Sequence, residues 1–349
     1  MAKTMQSIFF LGPKQLEMRE VPIPDPAEGE VVVKVEAATT DGTDLKGYLR
    51  GHRLFKPPMP FGHEYSGVIA AVGTNAGRWK EGDPVVAANS YPCNFCFFCR
   101  RGKPQLCEHL DEHWNFGAYA EYIRVPAGLA AQNMHPKPDN LSFQEAAVCE
   151  PLACAILCIE YAEIQLGDTV AIIGAGSQAL MQVQLANAVG AGRVIVFGRS
   201  KGRLETALAV GADEVYSTLD VDPVQTIRDL TRGYGADVVI EAAGSPDTWQ
   251  IAPLMARKGG TVVQFSGLPG GTQVSFDATH LHYGEVTMKG VFHLTPRTFE
   301  KAVTALATGV IDAKRMIDGE IPLSQVEDGL LRMQRSEVIK LAVIPSRAS

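Results

Sequence analysis

The spacing of apolar positions changes along the chain, and this change separates a first region of short strands from a second region of alternating strands and helices. Before about residue 140 the sequence is rich in Gly and Pro, and its apolar runs are short, as in the valines at 31–33 and 85–86. Short β-branched runs between turn residues predict a β-rich region. At Ser142 the pattern becomes helical, because Ser142 and Glu145 have the spacing of a capping box, and Pro151 then kinks or restarts the helix.

Continuous apolar runs after residue 169 predict strands that are buried on both faces. These runs lie at 170–173, 194–197 and 238–240, with a further run at 262–263 that is followed by Phe265. Helical patterns fit between the runs. The alternation predicts a doubly wound α/β region with a parallel sheet, and this region ends near residue 290.

The last sixty residues return to separate helices and one strand. Pro296 and Gly309 bracket a predicted helix, as expected for proline near a helix start and glycine after its end. Ser324 and Glu327 predict a second capping box at the start of the last helix. The apolar stretch 338–343 predicts a closing strand.

Composition and charge narrow the class of protein. A chain of 349 residues with 46% hydrophobic and 20% charged residues is long enough for two globular domains. The net charge of −7 and the lack of a Lys/Arg stripe argue against nucleic acid and anionic membrane partners. No apolar run approaches the roughly 20 residues that span a bilayer. The first residues hold only a four-residue apolar patch, too short for a signal peptide, so we expect a cytoplasmic protein.

A cluster of cysteines is the most specific motif in the chain. It has the spacing C-x2-C-x2-C-x7-C and consists of Cys93, Cys96, Cys99 and Cys107. Four thiolates close a tetrahedral site that suits structural Zn²⁺. Disulfides are a weaker interpretation, because the other three cysteines lie in an apolar helical stretch and nothing indicates export. An iron–sulfur cluster is a further alternative, although the ferredoxin run ends C-x3-C-P and this one does not.

A glycine-rich turn between a predicted strand and a predicted helix indicates a dinucleotide site. Gly174, Gly176 and Ala179 form G-x-G-x-x-A, in which the glycines permit a tight turn and a close approach of the pyrophosphate. The phosphates would then lie at the helix N-terminus. Such a motif alone is often only a turn, but its position between strand and helix favours dinucleotide binding. The candidate cofactor contacts in this turn are Gly174, Ala175, Gly176, Ser177 and Gln178.

The end of the second strand predicts which dinucleotide binds. An NAD site usually has Asp or Glu there, but this chain has no carboxylate in the stretch 198–203. Arg199 can grip a 2′-phosphate with its planar guanidinium, which favours NADP(H) over NAD(H). The alternative is that the basic residues form a solvated surface turn. The remaining candidate cofactor contacts are Gly198, Arg199, Ser200, Arg203, Ala243 and Gly267.

Several short motifs together resemble one family. They are Asp-Gly-Thr-Asp at 41–44, Gly-His-Glu at 62–64 followed by Ser-Gly-Val and Val-Gly, Gly-Ala-Tyr-Ala-Glu-Tyr at 117–122 and Glu-Pro-Leu at 150–152. With the cysteine cluster and the glycine turn, they make the whole chain similar to the zinc-dependent medium-chain dehydrogenase/reductase (alcohol dehydrogenase) family, and most similar to its polyol, sugar and threonine dehydrogenase branch. The resemblance implies a GroES-like catalytic domain of residues 1–148 and 292–349, with the cysteine lobe at about 90–110. It also implies a Rossmann domain of residues 149–291 and a homodimer or homotetramer.

The resemblance further implies a catalytic metal. Its ligands would include His63 and Glu150, with Glu64 as an alternative or outer ligand. The family usually has cysteine where this chain has Asp41, and a carboxylate also ligates zinc, so the expected set is Asp41, His63, Glu64 and Glu150. Such ligands also suit Mn²⁺ or Fe²⁺. The alternative is that Asp41 is an ordinary turn residue and that the metal has been lost.

A proton path and a reaction follow from the same resemblance. Thr43 matches the hydroxyl residue that contacts the substrate oxygen, whereas Lys46 stands where the family has a relay histidine and either replaces it through water or faces solvent. The expected reaction is the reversible oxidation of a secondary alcohol, a polyol or sugar-like molecule, to a ketone. Residues near Tyr48, His52, Phe55, Trp114, Phe116, Phe292 and His293 could line the substrate pocket or belong to the core. Two rivals are a metal-free NADPH-dependent reductase of the same superfamily and a non-catalytic nucleotide-binding protein.

Overall fold

The computed structural model describes residues 3–346, and within them the chain forms two compact units. The first unit comprises the described residues up to Ala153, the segment Leu294–Gly309 and the described residues from Met316 onward. The second unit comprises Cys154–His293 and Val310–Arg315. The helix Cys149–Ala162 begins in the first unit and ends in the second.

Strands form the framework of both units. In chain order they are β1 Thr4–Gly12, β2 Gln15–Pro22, β3 Val31–Thr39, β4 Met59–Pro60, β5 Tyr65–Val72, β6 Pro84–Ala87, β7 Tyr122–Val125, β8 Met134–Pro136, β9 Thr169–Ile173, β10 Arg193–Gly198, β11 Glu214–Ser217, β12 Ala236–Glu241, β13 Ala256–Gln264, β14 Thr287–Gly290, β15 Ile317–Ile321 and β16 Lys340–Val343.

The α-helices connect and cover these strands. In chain order they are α1 Gly42–Arg50, α2 Ala127–Gln132, α3 Phe143–Ala147, α4 Cys149–Ala162, α5 Ser177–Ala188, α6 Lys201–Ala209, α7 Pro223–Leu230, α8 Pro246–Met255, α9 Ala278–Gly284, α10 Pro296–Ala307 and α11 Val326–Gln334. Short 3₁₀ turns cover Cys99–Arg101, Pro104–Leu106, Leu110–Glu112, Ala313–Met316 and Leu323–Gln325.

The first unit is built on a sheet in which β3 is the central strand. The sheet order is β15-β16-β3-β5-β6-β8, and β7 also pairs with β3. β3 and β5 approach closely at Gly67, where a Cβ atom would lie 2.0 Å from the carbonyl oxygen of Lys34. A smaller sheet has the order β2-β1-β4. This structure confirms the predicted β-rich first region.

Helix boundaries in the first unit test the capping predictions. The capping box at Ser142 and Glu145 is confirmed, because the side chain of each residue accepts a hydrogen bond from the backbone N–H of the other at the start of α3. The predicted box at Ser324 and Glu327 is wrong. Pro322 starts a 3₁₀ turn that contains Ser324, so α11 begins two residues later without a side-chain cap. Glu327 instead accepts a hydrogen bond from the hydroxyl of Tyr48 at 2.5 Å.

The second unit contains the predicted doubly wound parallel sheet. Its strand order is β11-β10-β9-β12-β13-β14, in which all neighbours are parallel. Ile172 of the central strand β9 pairs with Val196 on one side and Ile240 on the other, and all three are fully buried. The order reverses between β9 and β12, which is where such sheets bind dinucleotides. The Rossmann part of the predicted fold class is therefore confirmed.

The α-helices range from 5 residues in α3 to 14 residues in α4. Within residues 3–346, none of them is both long enough and apolar enough to cross a bilayer.

Candidate functional site

Asp41 lies at the start of α1 and serves as its N-cap. Its side chain accepts a hydrogen bond from the backbone N–H of Thr43 at 2.6 Å, which satisfies a donor that the helix leaves free. Aspartate is among the best residues for this position. The cap fixes the carboxylate of Asp41, which is only 6% exposed, at one end of a buried polar cluster in the first unit.

His63 lies at the centre of this cluster, two residues before β5. Its Nδ1 is 2.9 Å from Oδ1 of Asp44, so the ring donates to that carboxylate and presents Nε2 to the opposite side. Nε2 lies 3.8 Å from Oδ1 of Asp41 and 4.0 Å from Oε2 of Glu150. The hydroxyl of Tyr119 donates to the second oxygen of Asp44 at 2.5 Å. Asp44 and Tyr119 therefore orient the ring of His63.

Glu64 is fully buried and makes an ion pair with Lys340, which is fully buried as well. Oε2 of Glu64 accepts hydrogen bonds from the ammonium of Lys340 and the hydroxyl of Thr39. Lys340 also donates to the carbonyl oxygen of Thr40 at 2.7 Å. The other oxygen of Glu64, Oε1, has no hydrogen-bond partner among residues 3–346.

The protonation states of these groups depend on their burial and on the charges of their neighbours. Burial raises the pKa of Asp41, but Lys340 and His63 outweigh it and hold that pKa well below its usual range. Burial lowers the pKa of His63, but Asp44 overrides it and raises that pKa well above its usual value. Burial raises the pKa of Glu64 against the opposing charge of Lys340. Burial also raises the pKa of Glu150 to about 7, although His63 opposes the shift.

These residues fit a divalent metal ion. One ligand atom from each of Asp41, His63 and Glu64 lies within 4.8 Å of the other two, and Oε2 of Glu150 lies 4.0 Å from Nε2 of His63. Buried carboxylates need compensating charge, and the four buried carboxyl groups of Asp41, Asp44, Glu64 and Glu150 outnumber the two basic side chains among them, His63 and Lys340. Carboxylate oxygen and imidazole nitrogen are ligands of zinc and of other divalent metals. Asp41, His63 and Glu64 are therefore the residues expected to hold a cation, with Glu150 near His63.

Thr43 and Lys46 lie on α1 next to this cluster and are both half-buried. The ring of Phe116 is 6.3 Å from that of His63 and stacks on Trp114 at 5.9 Å. Tyr48 is buried, and its hydroxyl donates to Glu327 of α11. Phe116 and Trp114 thus form the aromatic side of the cluster.

The four-cysteine lobe also fits a metal ion. One sulfur from each residue lies within 4.8 Å of the other three, and none of the seven cysteines forms a disulfide. Backbone N–H groups point at these sulfurs, as from Cys93 and His109 to Sγ of Cys107 at 3.2 and 3.4 Å. Such donors stabilise thiolates. Four thiolates leave no open coordination position, so the lobe suits structural zinc.

The glycine turn of the second unit has the geometry of a phosphate cradle. Gly174 follows β9 with φ +118°, and Gly176 is the N-cap of α5. Apart from its neighbours in the chain, no described residue has an atom within 4 Å of where a Cβ on Gly176 would lie. Ala179 is fully buried against the sheet, as the third small residue of the motif requires. The N-terminus of α5 therefore offers free N–H groups and open space to an anion.

The other candidate cofactor residues follow the carboxyl ends of neighbouring strands. Gly198 ends β10, and a Cβ there would lie 3.0 Å from that of Ala175 in the glycine turn. Arg199 is exposed and Ser200 half-buried at the start of α6, with Arg203 one turn later. Ala243 follows β12 and Gly267 follows β13. The structure therefore brings these residues to one edge of the sheet.

Sequence reasoning missed three residues of the buried cluster, which are Asp44, Tyr119 and Lys340. Asp44 belongs to the Asp-Gly-Thr-Asp motif, and its spacing from Asp41 on α1 could have indicated a role. Tyr119 belongs to the motif at 117–122. Lys340 is separated from Glu64 by 276 residues, and only its place in an otherwise apolar strand indicated a buried partner.

Comparisons with known proteins agree with this geometry. Residues 27–139 match the alcohol dehydrogenase GroES-like domain, and residues 179–308 match the zinc-binding dehydrogenase family. Sorbitol dehydrogenase of Bacillus subtilis (strain 168) is 31% identical over 99% of this chain and 98% of its own length. L-threonine 3-dehydrogenase of Bacillus velezensis is 33% identical over 94% of this chain and 95% of its own.

Solved structures agree as well. A structure from Sinorhizobium meliloti 1021, assigned as a zinc-binding dehydrogenase and bound to NADP, has a TM-score of 0.90 at 31% identity and covers 98% of this chain and 100% of its own. Alcohol dehydrogenase TADH of Thermus sp. ATN1 has a TM-score of 0.88 at 27% identity, with 97% and 99% covered. The chain therefore belongs to the zinc-binding alcohol dehydrogenase family of medium-chain dehydrogenases/reductases, and it is a zinc-dependent oxidoreductase with a GroES-like and a Rossmann domain.

Proposed function

We propose that this enzyme catalyses the reversible oxidation of a secondary alcohol, a polyol or sugar-like molecule, to a ketone with a nicotinamide cofactor, NADP(H) in preference to NAD(H). The observation that carries the proposal is the buried cluster of Asp41, His63, Glu64 and Glu150, in which carboxyl groups outnumber basic side chains even when Asp44 and Lys340 are counted with it. A cation beside the reacting hydroxyl would favour loss of its proton, and this cluster offers ligands for one.

The metal ligands are proposed to be Asp41, His63 and Glu150, with Glu64 as an inner or outer ligand. When bound, the metal supplies Lewis-acid chemistry that favours loss of the substrate's hydroxyl proton. The Nδ1 of His63 is bonded to Asp44, so Nε2 is the ring nitrogen that would bind the metal. The replacement of the family's cysteine by Asp41 makes the ligand set harder, so Mn²⁺ and Fe²⁺ join Zn²⁺ as candidate ions.

Thr43 and Lys46 are proposed to move the proton outward. Thr43 is half-buried at the first turn of α1, next to the Asp41 cap, and its hydroxyl can both accept and donate. Lys46 lies one turn later on the same helix and is also half-buried, so a water molecule could connect the two side chains. The proton would then leave the buried cluster without crossing its apolar side, where Phe116 and Trp114 exclude water.

The substrate class is inferred from the relatives and from the aromatic side of the cluster. A sorbitol dehydrogenase and a threonine dehydrogenase both align along nearly the whole chain. Sorbitol and threonine each contain a secondary alcohol and further polar groups. The aromatic rings beside His63 suit the carbon chain of such a molecule.

The cofactor preference is inferred from the end of β10. Arg199 follows Gly198 there, and the stretch 198–203 contains no acidic residue to repel a 2′-phosphate. The glycine turn at Gly174 and Gly176 is proposed to hold the pyrophosphate, with Ala175, Ser177 and Gln178 around it. The further contacts are proposed at Gly198, Arg199, Ser200, Arg203, Ala243 and Gly267. These residues would hold the dinucleotide, and its nicotinamide would supply the hydride acceptor for oxidation of the alcohol.

The two domains are proposed to divide the work of catalysis and cofactor binding. Residues 1–148 and 292–349 are proposed to act as the catalytic domain and residues 149–291 as the dinucleotide-binding domain. The enzyme is proposed to be a cytoplasmic homodimer or homotetramer.

The experiment that tests the proposal combines metal analysis with a cofactor comparison. Purified protein should contain two metal ions per chain and oxidise polyols such as sorbitol with a higher kcat/KM for NADP⁺ than for NAD⁺. Arg199→Ala should reduce kcat/KM for NADP⁺ about tenfold or more and leave that for NAD⁺ nearly unchanged. Lys201→Ala, two residues along the same turn and exposed, is the matched control.

The outcomes separate the alternatives. One metal per chain with reductase activity on activated double bonds would favour a metal-free reductase. One metal per chain and no turnover with any alcohol would favour a nucleotide-binding protein without catalysis. A clear preference of the wild type for NAD⁺ would contradict the cofactor assignment alone.

A further inference from the structure

Glu241 is a buried carboxylate outside the metal cluster, and three hydrogen bonds converge on one of its oxygens. It is the last residue of β12 and is fully buried. Its Oε1 accepts from the backbone N–H of Ala243 at 2.9 Å, from that of Gly244 at 2.7 Å and from the hydroxyl of Thr248 at 2.8 Å. One side-chain oxygen therefore shapes the whole turn between β12 and α8.

The chemistry of these bonds explains why the residue is acidic. A carboxylate can accept several hydrogen bonds at once, and bonds to a charged acceptor are about twice as strong as neutral ones. Burial of such a charge is unfavourable unless donors surround it. Gly244 has φ +77°, a left-handed conformation that turns its N–H towards Glu241. The turn is thus folded around the side chain of Glu241.

The backbone of Glu241 also holds the segment that follows β13. Its carbonyl oxygen accepts from the N–H groups of Phe265 at 3.0 Å and Ser266 at 3.2 Å. The indole of Trp249 donates to the carbonyl oxygen of Ser266 at 2.8 Å, which fixes this segment from the side of α8. Gly267, a candidate cofactor contact, is the next residue.

The glycine turn after β9 is in contact with the backbone of the turn after β12. The N–H of Ala242 donates to the carbonyl oxygen of Ile173 at 2.8 Å, immediately before Gly174. A Cβ on Gly174 would lie 2.9 Å from the carbonyl carbon of Ala242 and 3.0 Å from the nitrogen of Ala243. The two turns are therefore in contact, and a shift of one displaces the other.

We propose that Glu241 is a positioning residue for the nicotinamide dinucleotide, acting through the backbone at Gly174, Ala243 and Gly267. This inference rests on the proposed function, in which these three residues contact the cofactor. Each of the three segments depends on Glu241 or on the residue next to it for its position. Binding sites lose affinity when such segments move by about 1 Å, because the binding contacts no longer align.

The test compares Glu241→Asp with Glu241→Gln. Aspartate is shorter by one carbon–carbon bond of about 1.5 Å and cannot reach the three donors, whereas glutamine keeps an acceptor oxygen at the same distance. Glu241→Asp should raise Kd and KM for NADP⁺ about tenfold or more while kcat at saturating cofactor changes less than about threefold. Glu241→Gln keeps the acceptor oxygen but not the charge, so it should raise the Kd for NADP⁺ measurably but by less than Glu241→Asp does.

The matched control is Glu214→Gln at the opposite edge of the same sheet. Glu214 is the first residue of β11 and accepts hydrogen bonds from Arg193 and Tyr216, so Glu214→Gln weakens a carboxylate contact at the opposite end of the strands from the candidate cofactor residues. This variant should lower the melting temperature without changing the Kd for NADP⁺. A merely structural role of Glu241 predicts the same result for Glu241→Asp.

Calorimetric titration with NADP⁺ and NAD⁺ well below the melting temperature decides the outcome. If Glu241→Asp does not fold, Glu241→Gln and Thr248→Val take its place, and Thr248→Val should raise the Kd about threefold because one of three donors is lost. Unchanged Kd values in the folded variants overturn the inference alone. A wild type that binds neither dinucleotide overturns the proposed function and the inference with it.

Discussion

His63 and Asp44 form a buried pair in which Nδ1 lies 2.9 Å from Oδ1, and this contact directs the other ring nitrogen towards Asp41 and Glu150. The pair connects α1 with the residues before β5. Since a histidine ligand gains basicity when its second nitrogen donates to a carboxylate, Asp44 should strengthen metal binding without touching the metal.

Asp44→Asn should weaken metal binding at this site. Asparagine keeps the shape and one acceptor oxygen but removes the negative charge, so we expect the metal affinity to fall about 10- to 100-fold. Competition with a chelator, followed by metal analysis of the protein, measures the change. Tyr119→Phe removes one hydrogen bond to Asp44 and keeps its charge, so its effect should be smaller. Equal chelator resistance of Asp44→Asn and the wild type would contradict this role.

Lys340→Met should strongly destabilise the fold. The variant leaves Glu64 buried without its counter-charge, and the breaking of buried ion pairs costs about 3–5 kcal/mol. Urea denaturation measures the free energy of unfolding. The double variant Lys340→Met/Glu64→Gln should recover part of the loss, because neither charge then remains.

The matched control for Lys340 is Lys34→Met. Lys34 pairs with Glu36 at 2.7 Å, but its side chain is 43% exposed, so its loss should cost no more than about 1 kcal/mol. A double Lys340→Met/Glu64→Gln variant that is less stable than Lys340→Met would show that the buried charges do not depend on each other.

Asp41 and Cys99 should be required for the binding of two different metal ions. Asp41→Ala should abolish turnover and remove one metal per chain, but it also removes the N-cap of α1, at a cost of about 1 kcal/mol. Asp41→Asn keeps the cap, so its loss of turnover, expected to be about 100-fold or more, reports the ligand role by itself. Cys99→Ser should remove the other metal and lower the melting temperature.

Metal analysis and kinetics on the same preparations separate these effects. The Asp41 variants should retain the cysteine-bound metal. Cys99→Ser should lower the stability of the protein more than it lowers its turnover. If Asp41→Asn binds two metals and turns over at the wild-type rate, Asp41 is not a ligand.

The hydrogen bond between Tyr48 and Glu327 should make the free energy of unfolding fall as the pH rises into the alkaline range. Burial and Glu327 together raise the pKa of Tyr48 to about 12, from about 10 for an ordinary tyrosine. Because the folded state holds this proton more tightly, its contribution is complete below about pH 10 and is lost between about pH 10 and 12. Tyr48→Phe should therefore lose less stability than the wild type over this range.

Denaturation of the wild type and of Tyr48→Phe at a series of alkaline pH values measures how much stability each protein loses. Tyr234→Phe is the control, since Tyr234 is 74% exposed and should leave the pH dependence as it is. Parallel curves for the wild type and Tyr48→Phe would rule out the stabilising contact.

Features that depend on neighbouring residues could be predicted from the sequence. The parallel strands at 170–173, 194–197 and 238–240, the glycine turn at Gly174 and the capping box at Ser142 all follow from patterns within a few residues. The cysteine lobe was predictable for the same reason, since its four residues lie within fifteen positions. The box at Ser324 failed because Pro322 imposed a 3₁₀ turn that the local pattern did not reveal.

The sequence by itself determined the α/β class, the dinucleotide turn and the cysteine-rich lobe, because hydrophobic periodicity and short spacings encode local structure. Only the tertiary structure decided which partners surround the candidate catalytic groups. It brought Lys340 to Glu64 across 276 residues and turned His63 between Asp44 and the two carboxylates. The physical reason is that burial makes each of these charges depend on a partner, and the partner is chosen by how the strands and helices pack rather than by its place in the chain.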